Sequence, residues 1–362
     1  MAYMKNNKKE IKSVALCGAT ICEGSNFGDW LLQEILERKI KSVIPDIRII
    51  YIEKEHYIKS IVRALLRADA FIYVPGGYMG YIEKWYSGSL KKTIQRMKYY
   101  YLPGFIYRYT HKPMALIGQG IGPYEYPVLG KMLCDICAAS KCICVRDIES
   151  YSLLKKVGVK NKIYITADCA QTLLQNDMIY ETSESKKIAL QLSGLKIIHI
   201  LYFNYEEWNK KIIEAIKPFM KDTKFGFVIG ADSVILSRKG LVEFSKCFPQ
   251  ERTVVFDYRE PHQLISIYNK VDMILTPKLH TGIVGCTMGK SVVAFSVQYA
   301  KTKLYYEKIG YPERVFDLFS ISSEEMKKAI IENMDKGVNL PEKILKAADE
   351  NLNLLEGFLH NR

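Results

Sequence analysis

Three stretches of this 362-residue chain place cations, an imidazole or glycines where an anion can be held and a proton moved. In TPKLHTGIVGCTMGKSVVAF, Lys278 and His280 leave an apolar run and His280 opens a helical segment. An ammonium two residues from an imidazole suits an anionic substrate and general acid chemistry. The helix end disfavours the imidazolium, whereas a phosphate bound there favours it. In RDIESYSLLKKVGV, Arg146 ends an apolar strand, and its guanidinium fork matches phosphate or carboxylate. The plainer alternative is a surface pair between Arg146 and Asp147, with Asp147 capping the next helix. In SNFGDWLLQEIL, Asn26 and Gly28 permit a tight turn and Asp29 can cap a helix whose first turn can hold an anion.

Other positions lie at the same kind of place, just after a strand. In PGGYMG, adjacent Gly76 and Gly77 allow a ligand or another domain to approach the backbone closely. In GQGIGP, Gln119 and Gly120 follow an apolar run, but Gly122 arrives one residue early for a dinucleotide fingerprint and a proline follows, so NAD binding is not expected. Asp168 follows an apolar run in TADCA. The triplet Gly289-Lys290-Ser291 is no phosphate loop, because Val284 stands where the first glycine is required and a strand, not a helix, follows. Cys134, Cys137, Cys142 and Cys144 match no familiar zinc spacing and fall on a helix and a strand, so no metal is expected. His199, inside IIHIL, reads as a core histidine.

The elements that must position these residues alternate almost throughout. Short apolar runs near 14–18, 47–52, 70–74, 113–118 and 142–147 are separated by helical stretches and read as buried parallel strands. The pattern lapses over 171–196 and restarts with runs near 197–203, 225–230, 253–258, 272–276 and 291–296. The expectation is an α/β protein with two Rossmann-like domains facing each other across a cleft: residues 1–175, a linker at 176–196, residues 197–335, and a C-terminal helix at 336–362 packing back on the first domain.

Bulk properties narrow the function classes. Hydrophobic content of 48% and charged content of 25% are ordinary for a globular protein. No apolar run reaches the roughly 18 residues of a membrane span, and the polar start has no signal-peptide core, so a cytoplasmic location is expected. Nine cysteines in apolar stretches fit that location. The net charge of +13 points first to anionic small substrates and then to peripheral contact with an anionic membrane. Its cations are scattered over amphipathic helices, with no nucleic-acid module, so nucleic acid is not expected.

Taken together, NFGDWLL, VPGGYMG, GQGIGP, RDIESYSLLKKVGV, the Asp168 turn and KLHTGIVGCTMGKSVVAFSVQYAKTKLYYEKIG resemble the polysaccharide pyruvyl transferase family, in that family's order. The resemblance implies a GT-B-like fold and transfer of pyruvate from phosphoenolpyruvate to two hydroxyls of one sugar, in cell-surface polysaccharide biosynthesis. It implies that Arg146 holds the donor, that His280 is the catalytic histidine, and that Lys301 is a basic residue after the next strand. Lys278 stands where the family commonly has arginine, which keeps the charge and loses the bidentate geometry. Arg146, Lys278, Lys301 and Gly120 are thus expected at the donor. Asn26, Gly28, Asp29, Gly76, Gly77, Gln119 and Asp168 are expected along the cleft. The acceptor is a saccharide, carried on a lipid or free, and no cofactor is needed. A glycosyltransferase using a nucleotide sugar, or a binding protein without activity, would share fold and charge.

Overall fold

The computed structural model describes residues 10–18, 25–53, 56–79, 90–122, 127–173, 180–233 and 238–360. Gly80 of PGGYMG, Pro123 of GQGIGP, most of the expected polar linker start (174–179) and the chain ends lie outside them.

The elements run β1 (Ser13–Cys17), α1 (Phe27–Val43), β2 (Arg48–Tyr51), α2 (Tyr57–Arg67), β3 (Ala70–Tyr73), β4 (Gly76–Met79), α3 (Leu90–Arg96), α4 (Leu102–Tyr107), β5 (Met114–Ile121), α5 (Pro127–Ala139), β6 (Cys142–Val145), α6 (Ile148–Lys156) and β7 (Tyr164–Ile165). They continue as α7 (Ser183–Gln191), β8 (Lys196–Leu201), α8 (Glu206–Lys221), β9 (Phe225–Gly230), α9 (Arg238–Ser245), β10 (Thr253–Phe256), α10 (Pro261–Asn269) and β11 (Met273–Thr276). Last come α11 (Leu279–Thr287), β12 (Ser291–Ser296), α12 (Tyr299–Ile309), β13 (Val315–Asp317), α13 (Ser323–Asn333) and α14 (Glu342–Leu359).

Two compact units result. Unit 1 takes the described residues of 1–20, 32–169 and 343–362; unit 2 takes those of 21–31 and 170–342. The first turn of α1 thus belongs with unit 2, and α14 with unit 1. In unit 1 a seven-stranded sheet runs β2-β1-β3-β5-β6-β7, with β4 also on β5. In unit 2 a six-stranded sheet runs β10-β9-β8-β11-β12-β13. Every pairing in both is parallel. Parallel strands need helical crossovers that cover both faces, which is why β1, β3, β6 and β11 are buried at every position. Strand order reverses at β1/β3 in unit 1 and at β8/β11 in unit 2, and ligands of such sheets bind beyond the strand ends at these reversals.

Two details differ from the sequence expectation. Gly76–Met79 of PGGYMG form a strand: Val74 and Pro75 interrupt the line of β3, and β4 resumes it against Gln119 and Ile121 of β5. Proline has no N–H to donate to a ladder, so the line breaks there. The expected linker contains α7. Thr182 Oγ1 accepts the Ser185 N–H at 3.2 Å, the Ser185 hydroxyl accepts the Thr182 N–H at 3.0 Å, and Thr182 also meets the Ser266 hydroxyl of α10 at 3.0 Å. Only Ser185 and Ile188 of this helix are buried, too few for a visible apolar period.

His199 lies in the core of unit 2, its ring 5.8 Å from that of Phe256 and 5.3 Å from that of Tyr268. Burial without compensation lowers its pKa to about 3. The unfolded chain, with an ordinary histidine near 6.5, therefore binds a proton that the folded one refuses, and stability falls as pH drops from about 6.5 toward 3. His199→Phe is expected to remove that loss, becoming more stable relative to the parent by about 2 kcal/mol between pH 7 and 5. Denaturant unfolding of both proteins at the two pH values measures it. Parallel pH dependences would mean that His199 is solvated when folded.

Candidate active site

The turn from β11 into α11 places the Lys278–His280 pair. Thr276 Oγ1 accepts the Lys278 N–H at 3.0 Å and meets Thr281 Oγ1 at 2.5 Å, while the Thr281 hydroxyl donates to the Lys278 carbonyl at 3.0 Å. Both threonines are buried, so the turn is locked from below. Lys278 is the N-cap of α11 and His280 its second residue. The Lys278 ammonium lies 4.7 Å from the ring centre of Phe203, just beyond β8. It lies 3.8 Å from Asp232 Oδ2, just beyond β9. Lysine, phenylalanine and aspartate thus gather at the β8/β11 reversal of unit 2.

The first turn of α1 joins them. Asn26, not Asp29, is its cap: Asn26 Oδ1 accepts the N–H groups of Gly28 at 3.1 Å and Asp29 at 3.3 Å. Asp29 falls inside the first turn with an exposed side chain, where a carboxylate complements the helix end. The Phe27 N–H donates to the Asp232 carbonyl at 2.9 Å, and Asn26 Nδ2 to Asp232 Oδ2 at 3.4 Å. The Nδ1 edge of the His280 imidazole lies against Gly28, where an added Cβ would collide with Nδ1, Cγ and Cβ of the histidine. His280 is thus held where two helix N-termini meet, which favours an anion, two residues from Lys278, whose ammonium faces the Asp232 carboxylate. Lys301 lies in the first turn of α12, after β12, the strand next to β11.

Gly28→Ala must drive the imidazole off its seat. At least a tenfold loss of turnover is expected with the fold intact, since small misplacements of a reacting group are costly. Turnover, with the His280 ring proton resonances as a reporter of position, measures it. An unmoved resonance would dissociate Gly28 from the site.

Unit 1 holds the other expected residues. Arg146 follows β6 and is buried rather than paired at the surface. Its Nη1 donates to Asp168 Oδ2 at 2.7 Å, both side chains being about one-twentieth exposed, and its Nε is 3.7 Å from Asp147 Oδ2. Asp147 caps α6 by accepting the Ser150 N–H at 2.7 Å. Gly120 leaves room for the guanidinium, which a Cβ there would meet at 2.7 Å.

Gln119, Gly76 and Gly77 sit differently from expectation. Gln119 is wholly buried, its amide donating to the carbonyls of Val74 at 2.6 Å and Ile117 at 3.0 Å, so it stitches β5 to the break after β3. Gly76 makes room for Tyr78 rather than for a ligand, as a Cβ there would touch that ring at 2.9 Å. Gly77, half-buried, continues the same strand. Gly18, with φ of +88°, would also clash with Tyr78 if it bore a Cβ. The Tyr78 hydroxyl donates to the carbonyls of Val74 at 2.5 Å or Cys17 at 3.2 Å, and the ring stacks on Tyr100 at 4.7 Å. Tyrosine plugs the β1/β3 reversal of unit 1, whereas the corresponding place in unit 2 carries Lys278.

This arrangement meets a matching family signature. The polysaccharide pyruvyl transferase family model matches residues 26–299. The chain belongs to that family. Its matched span opens at the Asn26 cap and closes in α12, taking in Arg146, Asp168, Lys278 and His280. No curated protein matches the sequence.

Among solved structures, the putative UDP-N-acetylglucosamine 2-epimerase of Listeria monocytogenes is similar at 10% identity and a TM-score of 0.62, covering 98% of this chain and 98% of that one. The UDP-GlcNAc 2-epimerase of Methanocaldococcus jannaschii is similar at 12% identity and a TM-score of 0.63, over 95% of this chain and 99% of that one. That of Neisseria meningitidis, bound to UDP-GlcNAc, is similar at 14% identity and a TM-score of 0.59, over 95% and 99%. At such identities the likeness shows the fold alone: this pyruvyl transferase family member has two Rossmann-like, parallel-sheet units of the GT-B-like class.

Sequence reasoning missed Asp232, Phe203, the Thr276–Thr281 lock and Tyr78. Asp232 had a signal, as it follows the apolar run FGFVIG two residues on. Phe203 and Tyr78 read as ordinary apolar residues until the strand order is known.

Proposed function

We propose that the protein transfers the pyruvyl group of phosphoenolpyruvate to two hydroxyls of one saccharide, forming a cyclic ketal. The supporting observation is the His280 imidazole seated on Gly28 at two helix N-termini, beside Lys278. Phosphoenolpyruvate carries a phosphate and a carboxylate, and needs a proton on its methylene carbon. Lys278, the helix N–H groups and Lys301 supply positive potential. Arg146 is assigned to the same donor on the family resemblance of RDIES.

His280, protonated with the donor phosphate bound, gives its proton to the methylene carbon, which becomes a methyl group. The adjacent carbon, now oxocarbenium-like, takes up one acceptor hydroxyl, whose proton returns to the imidazole. The C–O bond to phosphate breaks and the second hydroxyl closes the ketal, its proton leaving with phosphate. A positioned general acid contributes roughly 10²–10⁴ in rate. The acceptor is assigned to a saccharide of cell-surface polysaccharide synthesis carried on a lipid, which places the protein on the inner face of an anionic membrane. Incubation with phosphoenolpyruvate and carrier-linked sugars, read by phosphate release and a pyruvylated product, tests it. No phosphate release with any acceptor would count against the reaction.

One observation favours a second reading, a nucleotide-sugar glycosyltransferase: the lysine and helix N-terminus at the β8/β11 reversal would hold a diphosphate equally well. Thermal stabilisation by UDP-sugars but not by phosphoenolpyruvate would select it.

A further inference from the structure

Helix α2 divides into three sectors that an ordinary surface helix does not have. Its buried side is Tyr57, Ser60, Ile61 and Ala64. A second row, Ile58, Val62 and Leu66, repeats every four residues and faces solvent at 76%, 46% and 75% exposure. A third row one residue on, Lys59, Arg63 and Arg67, is exposed as well. Surface helices normally turn polar side chains to water opposite the core. Here half of the solvent side is aliphatic and half cationic, and YIKSIVRALLR contains no acidic residue.

The surroundings continue the pattern. Exposed Lys98 lies 5.2 Å over the Tyr57 ring, and Ile94, one turn earlier, is 49% exposed. Beside the helix is a recess of about 300 Å³ lined by Arg48, Arg63 and Arg67 with one carboxylate, Glu53. Arg48 donates to the Arg67 carbonyl at 3.2 Å, which fixes one edge of that recess.

We infer that α2 docks the protein on an anionic lipid surface, with Ile58, Val62 and Leu66 entering the headgroup–acyl boundary and the arginine recess taking a lipid phosphate. The inference deepens the membrane contact proposed above and rests on that part of it alone. Among the described residues no helix is long and apolar enough to cross a membrane. In contacts made from one side of a bilayer, buried apolar area and attraction to anionic lipid act together. Charge decides the occupant: a row of cations along an aliphatic ridge is complementary to a lipid phosphate plane, and like charges would face each other if a second copy packed there in two-fold symmetry.

The test is co-sedimentation of the full chain with equimolar phosphatidylglycerol–phosphatidylcholine vesicles and with pure phosphatidylcholine vesicles, at low and high salt. The native chain is expected to partition onto the anionic vesicles, less so at high salt. Ile58→Asp with Leu66→Asp is expected to lower partition by at least about tenfold. Lys59→Gln, Arg63→Gln and Arg67→Gln together lower it roughly a hundredfold at low salt, at about fivefold per cation. The glutamine variant leaves every buried contact of α2 in place and suffices if the aspartate variant unfolds. Phosphate release from phosphoenolpyruvate with a water-soluble acceptor is assayed on the same variants, so failure of the donor chemistry is read separately. Absence of partition by the native chain overturns the docking. So does equal partition of the variants, and so does a dimer that the aspartate variant splits while vesicles go unbound.

Discussion

Replacing His280 with glutamine is expected to lower turnover by about 10²-fold or more while phosphoenolpyruvate still binds. Glutamine reaches about as far as histidine and can hydrogen-bond a phosphate, but cannot deliver a proton to carbon. The seat of the imidazole makes the experiment discriminating. Its Nδ1 edge lies against Gly28, so the glutamine has the same floor to rest on. The turn beneath is held by Thr276 and Thr281, which the substitution does not touch. Should His280 serve only to hold phosphate at the helix ends, the glutamine variant would bind donor more weakly and keep near-normal turnover at saturation.

How much of this site could be read from sequence follows from what each residue depends on. The positions of Lys278, His280 and Arg146 were legible because each lies within four residues of the end of an apolar strand, and chain order alone puts such residues at the carboxyl edge of the sheet. Asn26 was legible as a turn residue, yet the cap was assigned to Asp29, because both types cap and only backbone geometry says which N–H groups are met. The glycines share one kind of neighbourhood. Gly76 is small to admit Tyr78 and Gly120 is small to admit Arg146, so a glycine beside a strand end signals a close approach without saying by what. Asp232 depends on pairing across 206 residues of chain to Asn26, which no local pattern encodes. The two-unit alternation was plain, whereas α7 was not, since it is anchored by hydroxyl caps rather than by an apolar stripe.

Removing Asp168 should cost about 3–5 kcal/mol of stability, because it leaves the Arg146 guanidinium buried without its 2.7 Å partner. Arg146→Ala should cost a comparable amount by removing the 2.7 Å partner of the Asp168 carboxylate, so its effect on donor binding, taken alone, mixes two roles. Arg146→Met with Asp168→Leu separates them. Replacing both partners by apolar side chains of similar size leaves no uncompensated charge, so most of the stability should return. Donor affinity should not return, remaining weaker by about 1.5–3 kcal/mol, roughly ten- to a hundredfold in Kd. Arg146→Lys adds a third point. It keeps a charge for Asp168 but not the fork that reaches toward Asp147 as well, so stability should be largely kept and donor affinity only partly. Denaturant midpoints and phosphoenolpyruvate titrations on these four proteins give two independent columns. If affinity recovers with stability in the double variant, Arg146 is a structural tie between β6 and the Asp168 turn and holds no donor. If it stays low in a folded protein, the arginine reaches the donor, and Asp168 is the group that aims it.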